Sequence, residues 1–266
     1  MLSALRYQTV NRRTPVAATL VVAIGLGSTG CAGSTGATSA AKPDAAVPIA
    51  RTCRAGAYRR YGTPRLAYAA IVRSTAVARR TPGGPVLGRF GRLNQNGVPT
   101  VFSVRGARLG PRCVPTWFRV QLPIRPNGVT GWVRAGDVDM ATVKTRIDVD
   151  VSARRLTLFR SGKAVLRATV AVGSPATPTP LGHYYVNQRL IPDDPSGPFG
   201  PGAVGISAYS NVLTGWVQGG PIAIHGTNEP WSIGHAVSNG CIRLPNSTLR
   251  RVFAAAFNGT PVVIHA

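Results

Sequence analysis

Residues 224–244 read IHGTNEPWSIGHAVSNGCIRL, and the reading of the whole chain turns on them. His225 closes the run Ile222-Ala223-Ile224, whose apolar character suits a buried strand, and fifteen residues separate it from Cys241. One histidine and one cysteine, each beside a glycine, are what nucleophilic thiol chemistry requires. A free thiol titrates near about 8.5 and is mostly protonated at neutral pH; an adjacent imidazole takes its proton and later returns it to a leaving amine. Gly240 leaves the backbone before Cys241 free to approach a substrate, so the amides of Gly240 and Cys241 are candidates to face a developing oxyanion. The same pair, taken alone, also fits a structural cysteine near a core histidine. His225, His235 and Cys241 would supply three zinc ligands, but their spacing matches no ordinary zinc motif and Glu229 is the only nearby carboxylate. The expectation is thiol catalysis without a metal or other cofactor.

The surrounding words sharpen that expectation. Ile224-His225-Gly226-Thr227, Ile233-Gly234, Ser238-Asn239-Gly240-Cys241-Ile242-Arg243-Leu244 and Asn246 resemble the signature of the L,D-transpeptidase (YkuD-type) catalytic domain. Upstream Val172-Gly173 followed by Thr179-Pro180-Leu181-Gly182, and the ending Gly259-Thr260-Pro261-Val262, extend the resemblance over about residues 145–266. It implies a β-sandwich whose cysteine attacks the third-residue carbonyl of a peptidoglycan tetrapeptide stem and releases the terminal D-alanine. The acyl group then passes to the side-chain amine of a diamino acid on a neighbouring stem, a 3→3 cross-link made with no ATP and no metal.

Carried over, Cys241 is the nucleophile and His225 the base. Ser238 shapes the loop, Gly240 and Cys241 offer oxyanion amides, and Arg243 holds the loop or meets a substrate carboxylate. Gly226, Thr227, Trp231 and Tyr209 are candidates to contact substrate. Asn239 departs from the histidine that many members have before the Gly-Cys pair, which questions loop contacts and substrate fit more than activity. The implied inhibitors are β-lactams of the carbapenem type. Water as acceptor would make a carboxypeptidase, another protein's lysine would give attachment to the wall, and a domain without activity would leave a wall-binding protein.

Outward from this site, Ile147, Val149 and Val151 alternate, a Ser161-Gly162-Lys163 turn follows Leu156–Phe159, and Leu166, Ala168, Val170 and Val172 are expected on one strand face. Further strands are expected at 182–186, 222–225 and 261–265. Ser247 is placed to cap a helix with Leu249, Val252, Phe253 and Ala256 on its apolar side and Gly259 as its stop. Residues 144–266 thus read as a mainly β domain with one short amphipathic helix.

Residues 51–140 read as a small barrel of short strands, with apolar runs at 67–72, 101–104, 117–122 and 131–134. The words Trp117–Pro123, Arg125-Pro126-Asn127-Gly128 and Gly131-Trp132-Val133 resemble the end of a bacterial SH3-like module. The Arg125–Gly128 turn has its own logic, proline presetting φ and Asn-Gly tolerating positive φ. Residues 32–50 are small, polar and proline-punctuated, a flexible tether. Residues 1–31 read as an export signal: Arg6, Arg12 and Arg13 lead an uncharged stretch from Val16 to Leu26, and Gly30-Cys31 resembles a lipoprotein cleavage site, with Cys31 the lipidated residue. The protein is therefore expected in the cell envelope.

Composition agrees. In 266 residues, Gly 31 and Pro 22 rule out a coiled coil or long-helix bundle. The net charge of +23 divides unevenly, with 20 basic and 3 acidic residues in 1–140 (+17) against 11 and 5 in 141–266 (+6). No nucleic-acid motif accompanies it, and the expected partners are peptidoglycan stems, anionic wall polymers or an anionic membrane surface. Cys31 and Cys241 have roles, which leaves Cys53 and Cys113 to pair as a disulfide.

Overall fold

The structure is a computed structural model, and it describes residues 53–266 and, before them, only the two-residue strand β1 (Leu5–Arg6), paired with Ile191 and Pro192. The expected signal over 1–31, the tether over 32–50 and Cys31 lie outside the described residues.

Eight strands build the first sheet: β2 (Tyr58–Arg60), β3 (Ala67–Val72), β4 (Thr75–Arg79), β5 (Val86–Gly91), β6 (Val101–Leu109), β7 (Pro115–Gln121), β8 (Thr130–Arg134) and β9 (Val138–Val143). Their order is β5-β4-β8-β7-β6-β3-β9, with β2 on β6, and every pairing is antiparallel. Phe102, Val120, Leu122 and Val133 fill the inner face, and Ala70, Ala76 and Ala78 let the strands approach closely. The four apolar runs fall in strands. β6 continues five residues past its run, where exposed Arg108 stands between buried Ala107 and Leu109. Cys53 and Cys113 are joined in a disulfide. In the 125–128 turn the Arg125–Pro126 peptide is cis, and Gly128 rather than Asn127 carries the positive φ.

Lys144 leads directly into the second sheet, built from β10 (Thr145–Asp150), β11 (Arg155–Arg160), β12 (Lys163–Thr169), β14 (Gly182–Pro192), β15 (Ala203–Tyr209), β16 (Pro221–His225), β18 (Ile242–Arg243) and β19 (Pro261–His265). The order is β12-β11-β10-β19-β14-β15-β16-β18, so the final strand lies between β10 and β14, parallel to β10. A separate parallel pair, β13 (Val172–Gly173) with β17 (Ala236–Ser238), flanks the Cys241 loop. Val172 therefore does not continue the strand of Leu166 and Ala168: β12 ends at Thr169, and Val172 is buried in the pair that holds the loop. The result is mainly β and sandwich-like, with one α-helix among the described residues, α1 (Asn246–Ala255).

Two helix details depart from expectation. α1 starts after Pro245 with no side-chain cap, and Ser247 lies inside it, because the Asn246 side chain is engaged across the site at Thr227. The chain leaves the helix at Ala256, three residues before Gly259. Gly259 instead permits contact with the first sheet: a Cβ there would stand 2.4 Å from that of Ala69. Further bonds tie the sheets together. Buried Gln121 donates to the His183 carbonyl (2.8 Å), and Asn127 exchanges two bonds with the Tyr209 backbone (2.8 and 2.9 Å).

Candidate active site

Parallel pairing of β16 with β18 brings the sequence's two reactive residues together. Ile224 pairs with Ile242 and His225 with Arg243, so one step back along the register Cys241 lies beside Ala223, with whose backbone its thiol hydrogen-bonds. Ala223 and His225 are two apart on one strand and share a face. His225 and Cys241 accordingly open into a single cavity of about 540 Å³, together with Ser238, Asn239 and Arg243.

The histidine is 5 % exposed and fixed on two sides. Its Nδ1–H donates to the Gly226 carbonyl (2.5 Å), which leaves Nε2 as the free lone pair. The Phe199 ring stands edge-on to the imidazole, with centroids 5.0 Å apart. Burial lowers the imidazole pKa to about 4; the Gly226 bond opposes this, and the Arg243 charge adds to it. Burial pushes the Cys241 thiol up, and the Ala223 backbone and Arg243 pull it partly back. At neutral pH the pair is therefore neutral thiol and neutral imidazole, which places a thiol and a group able to accept a proton on one cavity.

The loop before Cys241 is held by its own hydroxyl and by two hydroxyls and an amide from the 174–179 turn. Ser238 donates to the Cys241 carbonyl (2.5 Å) and accepts from the Gly240 N–H (3.2 Å). The Gly240 amide is thus spent inside the loop, which corrects the expectation that it faces an oxyanion; its positive φ of 103° explains the glycine. Thr179 accepts from Gly173 (2.8 Å) and donates to the Gly240 carbonyl (3.0 Å). Thr177 and the Ser174 amide both donate to the Ser238 carbonyl (3.0 and 2.9 Å), and the Ser174 and Thr177 hydroxyls bond each other.

Several expected contact residues have other work. Gly226 and Thr227 do not line the cavity. A Cβ on Gly226 would stand 2.3 Å from Asn246 Oδ1, the atom that accepts the Thr227 N–H (2.8 Å), so this corner is glycine by packing. Trp231 is 63 % exposed and away from the cavity. Tyr209 donates to the Pro123 carbonyl (2.7 Å) under the Arg125 guanidinium and joins the two sheets. Exposed His183 and His235 also stand outside the cavity, and His265 pairs with Asp148. Among the described residues no three of His, Cys, Asp and Glu converge on a metal position. Arg243 ion-pairs with Glu229, while its Nε is buried without a hydrogen-bond partner in the protein.

The family comparison settles membership. Residues 144–264 match the YkuD family, the L,D-transpeptidase catalytic domain. The putative L,D-transpeptidase YkuD of Bacillus subtilis is 38% identical over 127 residues, 48% of this chain and 70% of that protein. The chain belongs to the YkuD-type L,D-transpeptidase family. The Bacillus licheniformis YkuD is likewise 38% identical, over 123 residues, 46% of this chain and 67% of that protein. Among solved structures, L,D-transpeptidase 3 of Mycobacterium tuberculosis, in complex with a faropenem-derived adduct, is 20% identical over 54% of this chain and 76% of that chain, with a TM-score of 0.37.

The L,D-transpeptidase domain does not complete its cavity alone. Asn96, in the turn between β5 and β6, lines it beside Gln188, Trp216 and Gln218. Asn96 donates to Gln188 Oε1 (2.8 Å) and accepts from Gln218 Nε2 (2.8 Å). Arg125 reaches the Ser210 and Gly219 carbonyls (2.6 and 2.5 Å) and so holds the loop that carries Trp216. Sequence reasoning passed over Asn96, Phe199 and Trp216, for they belong to no local pattern. Thr179 was quoted for resemblance, without the role its two bonds give it.

Proposed function

We propose that the protein is a peptidoglycan L,D-transpeptidase that forms 3→3 cross-links through an acyl-enzyme on Cys241. The observation that carries this reading is the common cavity face of Cys241 and His225, with Nε2 of the histidine left free by the bond from Nδ1. The Cys241 sulfur attacks the carbonyl of the third residue of a tetrapeptide stem while His225 Nε2 takes the thiol proton. The opened carbonyl oxygen meets the Cys241 N–H. Collapse breaks the amide to the terminal D-alanine, whose nitrogen leaves with the proton from His225. The side-chain amine of a diamino acid on a second stem then attacks the thioester, and its proton passes through His225 as the sulfur departs. The basic, apolar leader supports an exported location, with Cys31 as a lipid anchor. Residues 51–140 are read as an SH3-like module.

Incubating the protein with disaccharide-tetrapeptides and weighing the products tests the reading. Cross-linked dimer with loss of D-alanine is expected, abolished in Cys241→Ala. Loss of D-alanine without dimer would make water the acceptor, and an unchanged substrate would defeat the proposal. Carbapenem-type β-lactams are expected to acylate the same sulfur, and an adduct on a serine would overturn the nucleophile.

A further inference from the structure

The outer face of the first sheet carries a pattern that the cleft chemistry does not use. Residues directly opposite in an antiparallel ladder share a face, and the register aligns Tyr58, Arg108, Trp117 and Arg134 in one row across β2, β6, β7 and β8. The adjacent row, two residues along each strand, aligns Arg60, Gly106, Arg119, Trp132 and Arg79. Their neighbours Ala107, Phe118 and Val133 point into the core, so these rows lie on the outer face, where Tyr58, Arg60, Arg108, Arg119 and Arg134 are exposed, Trp117, Trp132 and Arg79 are half-buried, and Gly106 is covered by Tyr58. Arginine alternates with an aromatic or glycine across the rows, and strands β2, β4, β6, β7 and β8 contain no acidic residue. None of these arginines is in an ion pair of the described residues. With strands about 4.8 Å apart, guanidinium groups on alternate strands repeat at about 10 Å. The +17 of residues 1–140 thus includes an ordered array as well as scattered charge.

We infer that this face binds a phosphodiester-bearing glycan laid across the strands. Arginine rather than lysine supplies the charge, and its planar fork matches phosphate oxygens in pairs. The surface is a sheet face rather than a pocket, which suits an extended polymer gripped by repeated weak contacts. The aromatics do not offer a platform for nucleobases. The Arg134 guanidinium already lies over the Trp117 ring, 5.0 Å from its centroid, and Tyr58 packs edge-on against Trp132 at 5.9 Å. Stacked bases need open ring faces, and Arg134 covers that of Trp117, so the grip falls on the phosphates of a polymer that needs no base platform. The inference goes beyond the cleft reading and does not depend on it.

The test is affinity electrophoresis of the full-length protein in gels containing phosphomannan, with neutral mannan, alginate, single-stranded DNA and phosphatidylglycerol vesicles measured in parallel. Retardation by phosphomannan is expected, with binding falling steeply as salt rises. Arg108→Gln with Arg119→Gln should weaken it about tenfold, while carbapenem acylation of Cys241 proceeds at the parent rate. Trp117→Leu alone should also weaken it. Because both arginines are exposed, an unchanged melting temperature is expected; should the double variant not fold, each single substitution reads the same loss at smaller size. Undiminished binding by the folded arginine variants, equal retention by neutral mannan, or tighter binding of alginate, DNA or vesicles would overturn the inference. Failed acylation in the parent protein would strike the cleft reading and leave this one standing.

Discussion

His225 and Cys241 are held in a low-dielectric corner, and the pKa directions there make the pair's pH behaviour testable. With the imidazole at about 4, the base is neutral and competent through the physiological range. The acidic limb of Cys241 acylation should therefore fall near pH 4 instead of near the ordinary histidine value of about 6.5. A limb centred near 6.5 would mean that the imidazole is solvated in the working enzyme. The same shift links to stability. The unfolded chain binds a proton at His225 below about 6.5 and the folded one only below about 4, so stability is lost as pH falls across that window. The full difference is about 3 kcal/mol, and His225→Ala should flatten the melting temperature between pH 6.5 and 4 relative to the parent. Removing the base should cost acylation roughly 10² to 10⁴-fold, whereas His235→Ala, outside the cavity, should cost far less.

The loop before Cys241 is an element of its own, held by the turn at 174–179. Thr179 bonds Gly173 and Gly240 at once in a buried position. Thr179→Val keeps the shape, loses both bonds and strands a buried amide and a carbonyl; the expected cost is about 2 kcal/mol by thermal or urea melting. Acylation should fall further than stability does, because the Gly240 carbonyl adjoins the nucleophile's own amide. Gly240→Ala should be worse, since its φ of 103° excludes a side chain and a Cβ would press on Ile222 at 3.0 Å. If Thr179→Val melts lower yet acylates at the parent rate, the turn supports the fold without positioning the loop.

Across the whole molecule the first sheet both completes the cleft and stiffens itself through the Cys53–Cys113 bond. Removing that disulfide frees a 60-residue loop, which by loop-closure entropy costs about 4 kcal/mol. Cys53→Ala with Cys113→Ala should lower the melting temperature while Cys241 keeps its reactivity toward a small β-lactam. Native, non-reducing thiol labelling of the parent should modify Cys241 and neither of the other two. Asn96→Ala reaches the cavity from outside the L,D-transpeptidase domain. It should raise KM for stem peptides several-fold with a smaller change in kcat, because it loosens the Gln188 and Gln218 wall and leaves Cys241 untouched. An unchanged KM would mean that this wall does not meet the substrate.

The pairing of His225 and Cys241 in one cavity, the strand runs and the disulfide were legible in the sequence, because each rests on local chemistry or period: a thiol and an imidazole in glycine-flanked words, alternating apolar residues, and cysteines left over once two others had expected roles. The helix was legible in type, but its first residue was missed, since a bond from Thr227, nineteen residues away, decides what Asn246 does. Gly240 and Gly226 were seen as glycines the site requires, but their reasons are tertiary: one amide belongs to Ser238, and the other Cβ position belongs to Asn246. Tyr209 and Trp231 were candidates for the cleft as much as for the core, since the local sequence does not determine which way a side chain points. Asn96, Phe199, Trp216 and the arginine–aromatic rows carry no local signal at all. Strand register and the approach of the two sheets bring them into place. Local patterns fix which elements form and which residues can react, while pairings between residues distant in sequence decide which of them meet.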